Sequence, residues 1–384
     1  MQGAPRSLYV HIPFCARRCP YCDFAISVGG QDIQDRYVAA LDRELMGLEA
    51  LGRLELDTVF LGGGTPSLLR VDLLERLLTL IRTRFRLSNA AEVTIEANPE
   101  ALTENVARRW LGMGINRVSL GVQSLDEMGL RFLGRAHDAT TAESAIEAVA
   151  SAGFGNLNCD LIYAIPGQDS AAFARGLRQL LTHPLQHVSC YELTVEPGTP
   201  LARSVQRKLA PAPAVDAFLS QREIAGELLG AAGFGLYEVS NYARPGFACR
   251  HNLGYWNQRP YLAVGCGSHG LLAAASAELL GLAPKGEMIR YWHLRDAATY
   301  IRAVMAGGRG WRGDEWLGPD QVEMERVACG LRLAAGVALR GERQLTRARE
   351  LAEIGLLTVD GQVVRPTERG FTVLDRVTLE LCAA

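Results

Sequence analysis

The stretch HIPFCARRCPYCDF, residues 11–24, places Cys15, Cys19 and Cys22 on one short segment. It follows the apolar run Leu8–Ile12, which predicts a strand, so the thiols are expected on a loop at that strand's carboxyl end. Three thiolates at these spacings can converge on one cuboidal iron–sulfur cluster. Such clusters are commonly held by four cysteines, so three local thiolates leave one iron open to a small molecule.

Two other interpretations of this cysteine loop remain open on spacing alone. Zinc normally takes four ligands in closed tetrahedral geometry, and His11 could supply the fourth, although it lies back on the strand. A chance grouping of structural cysteines is the other. The remaining six of the nine cysteines are scattered singly, mostly in apolar segments, as is typical of small buried side chains. The odd total argues against a disulfide framework.

Outward from this loop, short apolar runs alternate with longer helical patterns. The runs predict strands at Leu8–Ile12, Thr58–Leu61, Glu92–Ala97, Arg117–Val122, Leu157–Tyr163 and His187–Leu193. The patterns predict helices at Gln31–Glu49, Val71–Arg84, Glu104–Leu111, Ala142–Ala152 and Ala171–Leu181. This alternation indicates parallel βα units and therefore an α/β fold built as a full or partial barrel.

Polar residues recur at or near the ends of these predicted strands. A glycine run with Thr65 follows the second strand, Glu96 and Gln123 end the third and fourth, and Asp160 lies within the fifth. In parallel βα barrels the carboxyl ends of the strands build the active site. Several such residues in succession therefore predict a single cleft.

The rest of the chain is less regular up to about residue 290, with one clear helix near 214–230. From about residue 315 a helix–helix–hairpin–helix pattern predicts a winged-helix-like α+β domain, and Asp360-Gly361 marks its hairpin. We expect three regions: a core domain at 1–240, a connecting region at 241–310 and a C-terminal domain at 311–384.

Composition narrows the class of protein. The chain is 48% hydrophobic and 21% charged, which is typical of a globular protein, and its net charge of −2 gives no reason to expect a nucleic-acid partner. No basic segment followed by an apolar run opens the sequence, and the apolar stretch 261–284 is broken by polar residues and glycines. We therefore expect a cytoplasmic protein.

The CxxxCxxC spacing of Cys15, Cys19 and Cys22, followed one βα unit later by GGGTP at residues 62–66, resembles the radical S-adenosylmethionine (SAM) superfamily. The whole chain resembles the HemN/HemW family, and most of all its HemW-type heme chaperones. The resemblance implies a partial (β/α)6 radical SAM barrel that holds a [4Fe–4S] cluster on these three cysteines. It also implies that SAM chelates the fourth iron, and that an electron from the cluster yields a 5′-deoxyadenosyl radical.

The same resemblance assigns residues to the SAM site. The implied contacts are Tyr9, Gly63, Gly64, Thr65, Glu96, Gln123, Arg135 and Asp160. Arginine can pair with a carboxylate, and Glu or Asp can accept hydrogen bonds from ribose hydroxyls or an ammonium group. Taken alone, Arg135 is better interpreted as an ordinary solvated residue, and Tyr9 is equally well interpreted as a core residue.

Three features favour the chaperones over the coproporphyrinogen III dehydrogenase of the same family. Phe24 stands where the dehydrogenase has an additional cysteine. The chain begins a few residues before its first strand, without the dehydrogenase's longer extension. His251-Asn252-x-x-Tyr255-Trp256 matches the HNxxYW motif associated with heme binding, which makes His251 the expected heme ligand. Cys249 and His269 are weaker candidates.

The resemblance therefore implies a heme chaperone with a [4Fe–4S] cluster and SAM. Its expected partners are heme and heme-accepting respiratory proteins, reached at the membrane surface, and a homodimer stays open. SAM binding is expected, whereas catalytic turnover is left open and coproporphyrinogen III dehydrogenase activity is not expected. The alternatives are the oxygen-independent dehydrogenase itself and a radical SAM enzyme acting on another substrate such as RNA.

Overall fold

The computed structural model describes residues 3–383. Its first part contains β1 (Ser7–Ile12), β2 (Phe14–Cys15), β3 (Ser27–Val28), β4 (Glu55–Gly63), β5 (Arg86–Ala97), β6 (Arg117–Gln123), β7 (Leu157–Tyr163) and β8 (His187–Glu192). The helices are α1 (Gln34–Gly47), α2 (Val71–Arg84), α3 (Glu104–Gly112), α4 (Glu127–Phe132), α5 (Ala139–Ser151), α6 (Ser170–Leu180) and α7 (Pro200–Gln206). Single 3₁₀ turns lie at Gln31–Ile33, Glu49–Leu51, Pro66–Leu68 and Pro99–Ala101.

The second part adds β9 (Gly235–Leu236), β10 (Asn241–Ala243), β11 (Leu262–Val264), β12 (His269–Ala273), β13 (Met288–His293) and β14 (Trp311–Leu317). Its helices are α8 (Val215–Ala231), α9 (Arg250–Trp256), α10 (Ala274–Leu279) and α11 (Ala297–Met305). The last part has α12 (Pro319–Gly330), β15 (Val337–Ala338), α13 (Glu342–Glu353), β16 (Leu357–Asp360), β17 (Val363–Pro366), α14 (Glu368–Thr372) and α15 (Leu374–Cys382).

The main sheet is an open barrel. Its strand order is β11-β1-β4-β5-β6-β7-β8-β10-β9, in which β11 through β8 are parallel and the last two strands are antiparallel. Helices cover the outer face through apolar stripes; α2, for example, buries Leu73, Leu77 and Ile81. The predicted α/β fold with a partial parallel barrel is confirmed.

The interior of the barrel is polar towards the amino-terminal ends of its strands. Thr94, Arg117, Asn158 and His187 are all buried on the strands that form the wall. Buried polar groups cost free energy unless they are hydrogen-bonded. His187 Nδ1 bonds to Asn158 Oδ1, whereas Thr94 Oγ1 and Arg117 Nε have no partner among the described residues.

Helix α9 and the segment that follows α12 pack against the barrel. Helix α9 packs against β4 and α12. Ala334 N donates to Tyr237 O at 3.0 Å, and Glu238 bridges Leu333 as an isolated strand pair. The HNxxYW segment therefore lies between the barrel wall and the C-terminal part.

Two smaller sheets complete the fold. Strands β12, β13 and β14 form an antiparallel sheet, and β15, β17 and β16 form another around the hairpin at Asp360-Gly361. The second sheet packs with α12, α13 and α15 around a separate apolar cluster, which confirms the winged-helix-like α+β character. Within residues 3–383, no helix is both long and apolar enough to cross a bilayer.

Candidate functional site

The cysteine loop is bound to the rim of the barrel by backbone hydrogen bonds. Gly64 N donates to Ile12 O at 2.9 Å and Thr65 N donates to Phe14 O at 2.8 Å. These two hydrogen bonds hold the segment that follows β1 against the glycine run at the end of β4. A Cβ on Gly64 would lie 2.6 Å from the carbonyl of Pro13, so the loop can approach this closely because the residue is glycine.

The three cysteines of the loop are free thiols, each partly accessible to solvent. Burial raises the pKa of Cys15 to about 11 and raises the pKa of Cys22 as well. Within the described part of the chain, no three His, Cys, Asp or Glu side chains converge as a preformed metal site. The fit to an iron–sulfur cluster therefore rests on the donor chemistry: three soft thiolate donors on one loop, which metal binding would deprotonate.

A chain of side-chain contacts joins two of these cysteines across the cleft. Cys15 Sγ lies 3.6 Å from Thr65 Oγ1, to which Asn98 Nδ2 donates at 3.2 Å. Arg135 then donates to Asn98 Oδ1 at 2.6 Å and to Cys19 Sγ at 3.5 Å. The structure thus brings Thr65 and Arg135, both predicted site residues, to the cysteine loop.

Two carboxylates face the same cleft. Glu96 Oε2 accepts a hydrogen bond from Gly63 N at 2.9 Å, and burial together with the charge of Asp160 raises its pKa to about 7. Asp160 accepts from Asn158 at 2.8 Å and from Ser119 at 3.1 Å, and burial raises its pKa too. Burial disfavours the charged form of both acids. A ligand that donates hydrogen bonds from hydroxyl or ammonium groups would stabilise the two carboxylates.

Gln123 and Tyr9 complete the predicted set. Gln123 ends β6 with φ 66°, a left-handed conformation that a side chain rarely adopts and that is common at binding sites. Tyr9 stacks on Phe60 with ring centroids 6.1 Å apart. Its hydroxyl lies 3.1 Å from His11 Nδ1.

His11 connects the two ends of the cysteine loop. Its Nε2 lies 2.7 Å from the carbonyl of Ala25, which only accepts, so Nε2 carries the proton and Nδ1 accepts from Tyr9. Burial lowers the pKa of His11 to about 4, which keeps it neutral. Both ring nitrogens are engaged, so the zinc interpretation of the loop has no free His11 ligand in this conformation.

His251 is buried inside the barrel, towards the amino-terminal ends of the strands. Its Nδ1 is 2.6 Å from Thr58 Oγ1 and its Nε2 is 2.8 Å from the Tyr255 hydroxyl. The ring stacks on Phe60 at 5.1 Å, and burial lowers its pKa to about 3. The heme-ligand role of His251 stays a prediction, and it would require at least one of these two hydrogen bonds to open.

The HNxxYW segment is connected to Asp160 through the barrel interior. Glu92 accepts from the backbone of Arg250 and His251 and from Cys249 Sγ. Cys249 N donates to the Tyr237 hydroxyl at 3.3 Å, which lies 2.8 Å from His187 Nε2.

His187 Nδ1 lies 2.5 Å from Asn158 Oδ1, and Asn158 in turn donates to Asp160. The network therefore runs without a break from α9 to the cleft.

Asn98, Ser119 and Asn158 are site residues that the sequence analysis does not single out. Each holds a predicted residue in place rather than facing the cleft alone. Asn98 and Asn158 each lie two positions from a predicted acid, Glu96 and Asp160, and this proximity along a strand is the signal that could have found them.

Fold and site together define a radical SAM protein: an open parallel barrel with a three-cysteine loop after its first strand and polar side chains at the strand ends. Residues 9–179 match the family model of the radical SAM superfamily. Coproporphyrinogen III oxidase (HemN) from Escherichia coli, a radical SAM enzyme, shares the fold with a TM-score of 0.83 at 22% identity, covering 99% of this chain and 90% of that one.

Sequence relatives are more specific. The chain is 37% identical over 388 residues to the heme chaperone HemW of Mycobacterium tuberculosis, covering 99% of this chain and 96% of the relative. It is 40% identical over 279 residues to the heme chaperone HemW of Escherichia coli, covering 72% of each. The chain belongs to the HemW family of the radical SAM superfamily, as the motifs predict.

Proposed function

We propose that this protein is a heme chaperone on a radical SAM scaffold, which binds heme and delivers it to heme-dependent respiratory proteins. The observation that carries the proposal is the similarity to HemW along 99% of the chain, which includes the barrel, α9 and the C-terminal part. The likeness to HemN at 22% identity supports the fold alone.

The cysteine loop favours the chaperone over the dehydrogenase. Phe24 replaces the additional cysteine of the dehydrogenase, and its ring is 59% exposed. An exposed aromatic side chain beside the cofactor loop offers an apolar contact for the porphyrin ring of heme.

The family implies a [4Fe–4S] cluster and SAM, and we propose Cys15, Cys19 and Cys22 as the cluster ligands. A reduced cluster on these three thiolates would supply one electron for the cleavage of SAM into methionine and a 5′-deoxyadenosyl radical. In this chain Arg135 would pair with the carboxylate of SAM, while Glu96 and Asp160 would accept from its donors. Gly63 and Gly64 would contact SAM through their backbone groups, while their missing Cβ atoms let His11 and Pro13 pack against the glycine run.

The proposal also covers the protein's location in the cell and the proteins that receive its heme. We place the protein in the cytoplasm, with respiratory acceptors met at the membrane surface, and a homodimer as a form to be tested. The division into a core (1–240), a connecting region (241–310) and a C-terminal domain (311–384) is proposed as the working map for truncation.

Anaerobic reconstitution followed by heme titration tests the proposal. We expect a [4Fe–4S] absorbance, a Soret band that saturates at one heme per chain, and no protoporphyrinogen from coproporphyrinogen III with SAM and a reductant. The matched control is the Cys15→Ala/Cys19→Ala/Cys22→Ala variant, which should lose the cluster signal. Turnover of coproporphyrinogen III, or failure of the reconstituted protein to bind heme, would overturn it.

A further inference from the structure

The antiparallel sheet of β12, β13 and β14 carries an aromatic row at one end. His269 pairs directly with Trp292, which pairs with Gly313, so the three residues occupy neighbouring positions on one face. The rings of His269 and Trp292 lie 6.3 Å apart and only 22° from parallel. A Cβ on Gly313 would lie 2.7 Å from Trp292 Cζ2, so the indole lies flat over the glycine. We call His269, Trp292 and Gly313 the aromatic ledge.

His269 differs from the other histidines of the chain. Six of the seven have ring nitrogens within hydrogen-bond distance of protein groups, namely His11, His137, His183, His187, His251 and His293. The ring of His269 has no such partner among the described residues, and the residue is exposed. Partial burial and the nearby positive charges lower its pKa, so its lone pair is free at neutral pH.

The ledge adjoins the cysteine loop. It follows the turn at Gly267, where an added Cβ would lie 2.2 Å from the Cβ of Ala25. Arg295, three residues after Trp292, donates to the carbonyl of Asp23. Asp23 and Ala25, which flank the exposed Phe24, thus lie against Arg295 and Gly267, and this brings Phe24 near the ledge in space.

Of two arginines near the ledge, one is paired with carboxylates and the other is not. Arg290 lies two residues from Trp292 on the same face, but it is paired with Glu315 and Glu325. Arg295 is exposed and bonded only to a backbone carbonyl among the described residues, so its charge is uncompensated. The region thus offers a neutral imidazole, a flat aromatic surface and one free cation.

We propose that heme docks on the aromatic ledge, with His269 as its axial ligand, the edge of the Trp292 ring against the porphyrin and Arg295 beside a propionate. This inference rests on the proposed heme-binding function and names its site. Histidine is a common axial ligand, aromatic rings contribute large apolar contact area, and arginine pairs well with carboxylates. An open site with one protein ligand leaves the second axial position to an acceptor protein, as delivery of the heme requires.

The test is a heme titration of the reconstituted full chain, comparing His269→Ala with His251→Ala and with His183→Ala as the matched control. His183 is a half-buried histidine paired with Glu143 at the end of α6. We expect His269→Ala to weaken heme binding at least tenfold and to lose the histidine-ligated spectrum, with added imidazole restoring that spectrum. Circular dichroism and cluster content should match the parent, because His269 is exposed.

The controls separate the two proposals. If the parent protein binds heme and His269→Ala binds it equally well with an unchanged spectrum, the ledge is wrong while the chaperone function stands. Loss of the spectrum in a folded His251→Ala protein, with His269→Ala unaffected, likewise overturns the ledge and supports the HNxxYW ligand. If the parent itself binds no heme, both proposals fall. Trp292→Ala adds a check, since it should weaken binding without loss of the ligand spectrum.

Discussion

The guanidinium group of Arg135 lies 3.5 Å from Cys19 Sγ, close enough to donate a hydrogen bond to this proposed cluster ligand. A second nitrogen of the same group donates to Asn98 Oδ1 and to the carbonyl of Gly121, at 3.1 Å for the latter. The positive charge is therefore fixed in place beside the thiol. Hydrogen bonds and charges next to cluster sulfurs tune the reduction potential of an iron–sulfur centre.

The first prediction concerns this charge. Arg135→Gln should lower the reduction potential of the reconstituted cluster by on the order of tens of millivolts, because the cation favours the more negative, reduced state. The measurement is a redox titration followed by electron paramagnetic resonance, without SAM. Arg131→Gln is the control, since Arg131 lies on the same segment with 71% of its side chain exposed. An unchanged potential in Arg135→Gln would contradict the assignment.

The second prediction concerns Asn98, which links Thr65 to Arg135. Asn98→Ala should weaken SAM binding about tenfold, since the loss of one half-buried side chain that makes two hydrogen bonds typically costs ~1–1.5 kcal/mol. Isothermal titration calorimetry under anaerobic conditions measures the affinity. Asn89→Ala, at an exposed position of β5, should leave it unchanged. Equal affinities of the two variants would show that Asn98 does not organise the site.

The third prediction is a pH dependence of SAM binding. Glu96 has a pKa raised to about 7 by burial and by Asp160, so below that pH the free protein holds a protonated acid. A ligand that needs the carboxylate must first remove that proton, so the apparent affinity should fall as pH drops below 7 and level off above it. Glu96→Gln should bind more weakly and flatten the slope between pH 6 and 8. The same slope in the variant would exclude Glu96 as its source.

Local periodicity predicts much of the fold. Strand β7 and helix α2 occur at the predicted residues, Leu157–Tyr163 and Val71–Arg84, because a continuous apolar run and a helical stripe each specify burial within one segment. Strand β11 is not predicted. Its three residues, Leu262–Val264, extend the sheet because β1 offers an open edge to which they can pair. Such a partner, far away in sequence, leaves no local pattern.

In the candidate site too, local motifs predict some features, whereas contacts with distant residues determine others. The strand-end residues and cysteines are predicted from motifs, and the structure places Thr65, Glu96, Arg135 and Asp160 around one cleft. The surroundings of His251 are not predictable in this way, because Thr58 lies 193 residues away and closes one side of its ring. Burial of a ring by distant residues is a tertiary property.

The fourth prediction concerns the interior of the barrel at His251. His251→Phe should lower the free energy of unfolding by about 2–4 kcal/mol, because it leaves the Thr58 and Tyr255 hydroxyls buried without their partner. Thr58→Val removes a single partner and should cost less, about 1–2 kcal/mol. Urea unfolding monitored by circular dichroism measures both. A His251→Phe protein as stable as the parent would mean that the ring is not held as the structure describes.

The last prediction concerns the contact between Gly267 and the cysteine loop. Gly267 has φ +71°, and an added Cβ would lie 2.2 Å from Ala25 Cβ. Gly267→Ala should therefore combine left-handed strain of about 1–2 kcal/mol with a steric clash of about 1–3 kcal/mol. Because the clash displaces the loop that carries the three thiols, we expect less iron per chain after reconstitution as well as a lower free energy of unfolding.

Two further variants separate strain from clash. Gly246 has φ +87° with no atom near the position of a Cβ, so Gly246→Ala should show the strain alone and normal iron content. Adding Ala25→Gly to Gly267→Ala removes the clash but keeps the strain, so iron content should recover while stability recovers only in part. If the double variant binds as little iron as Gly267→Ala, the turn acts on the cluster loop by some route other than this contact.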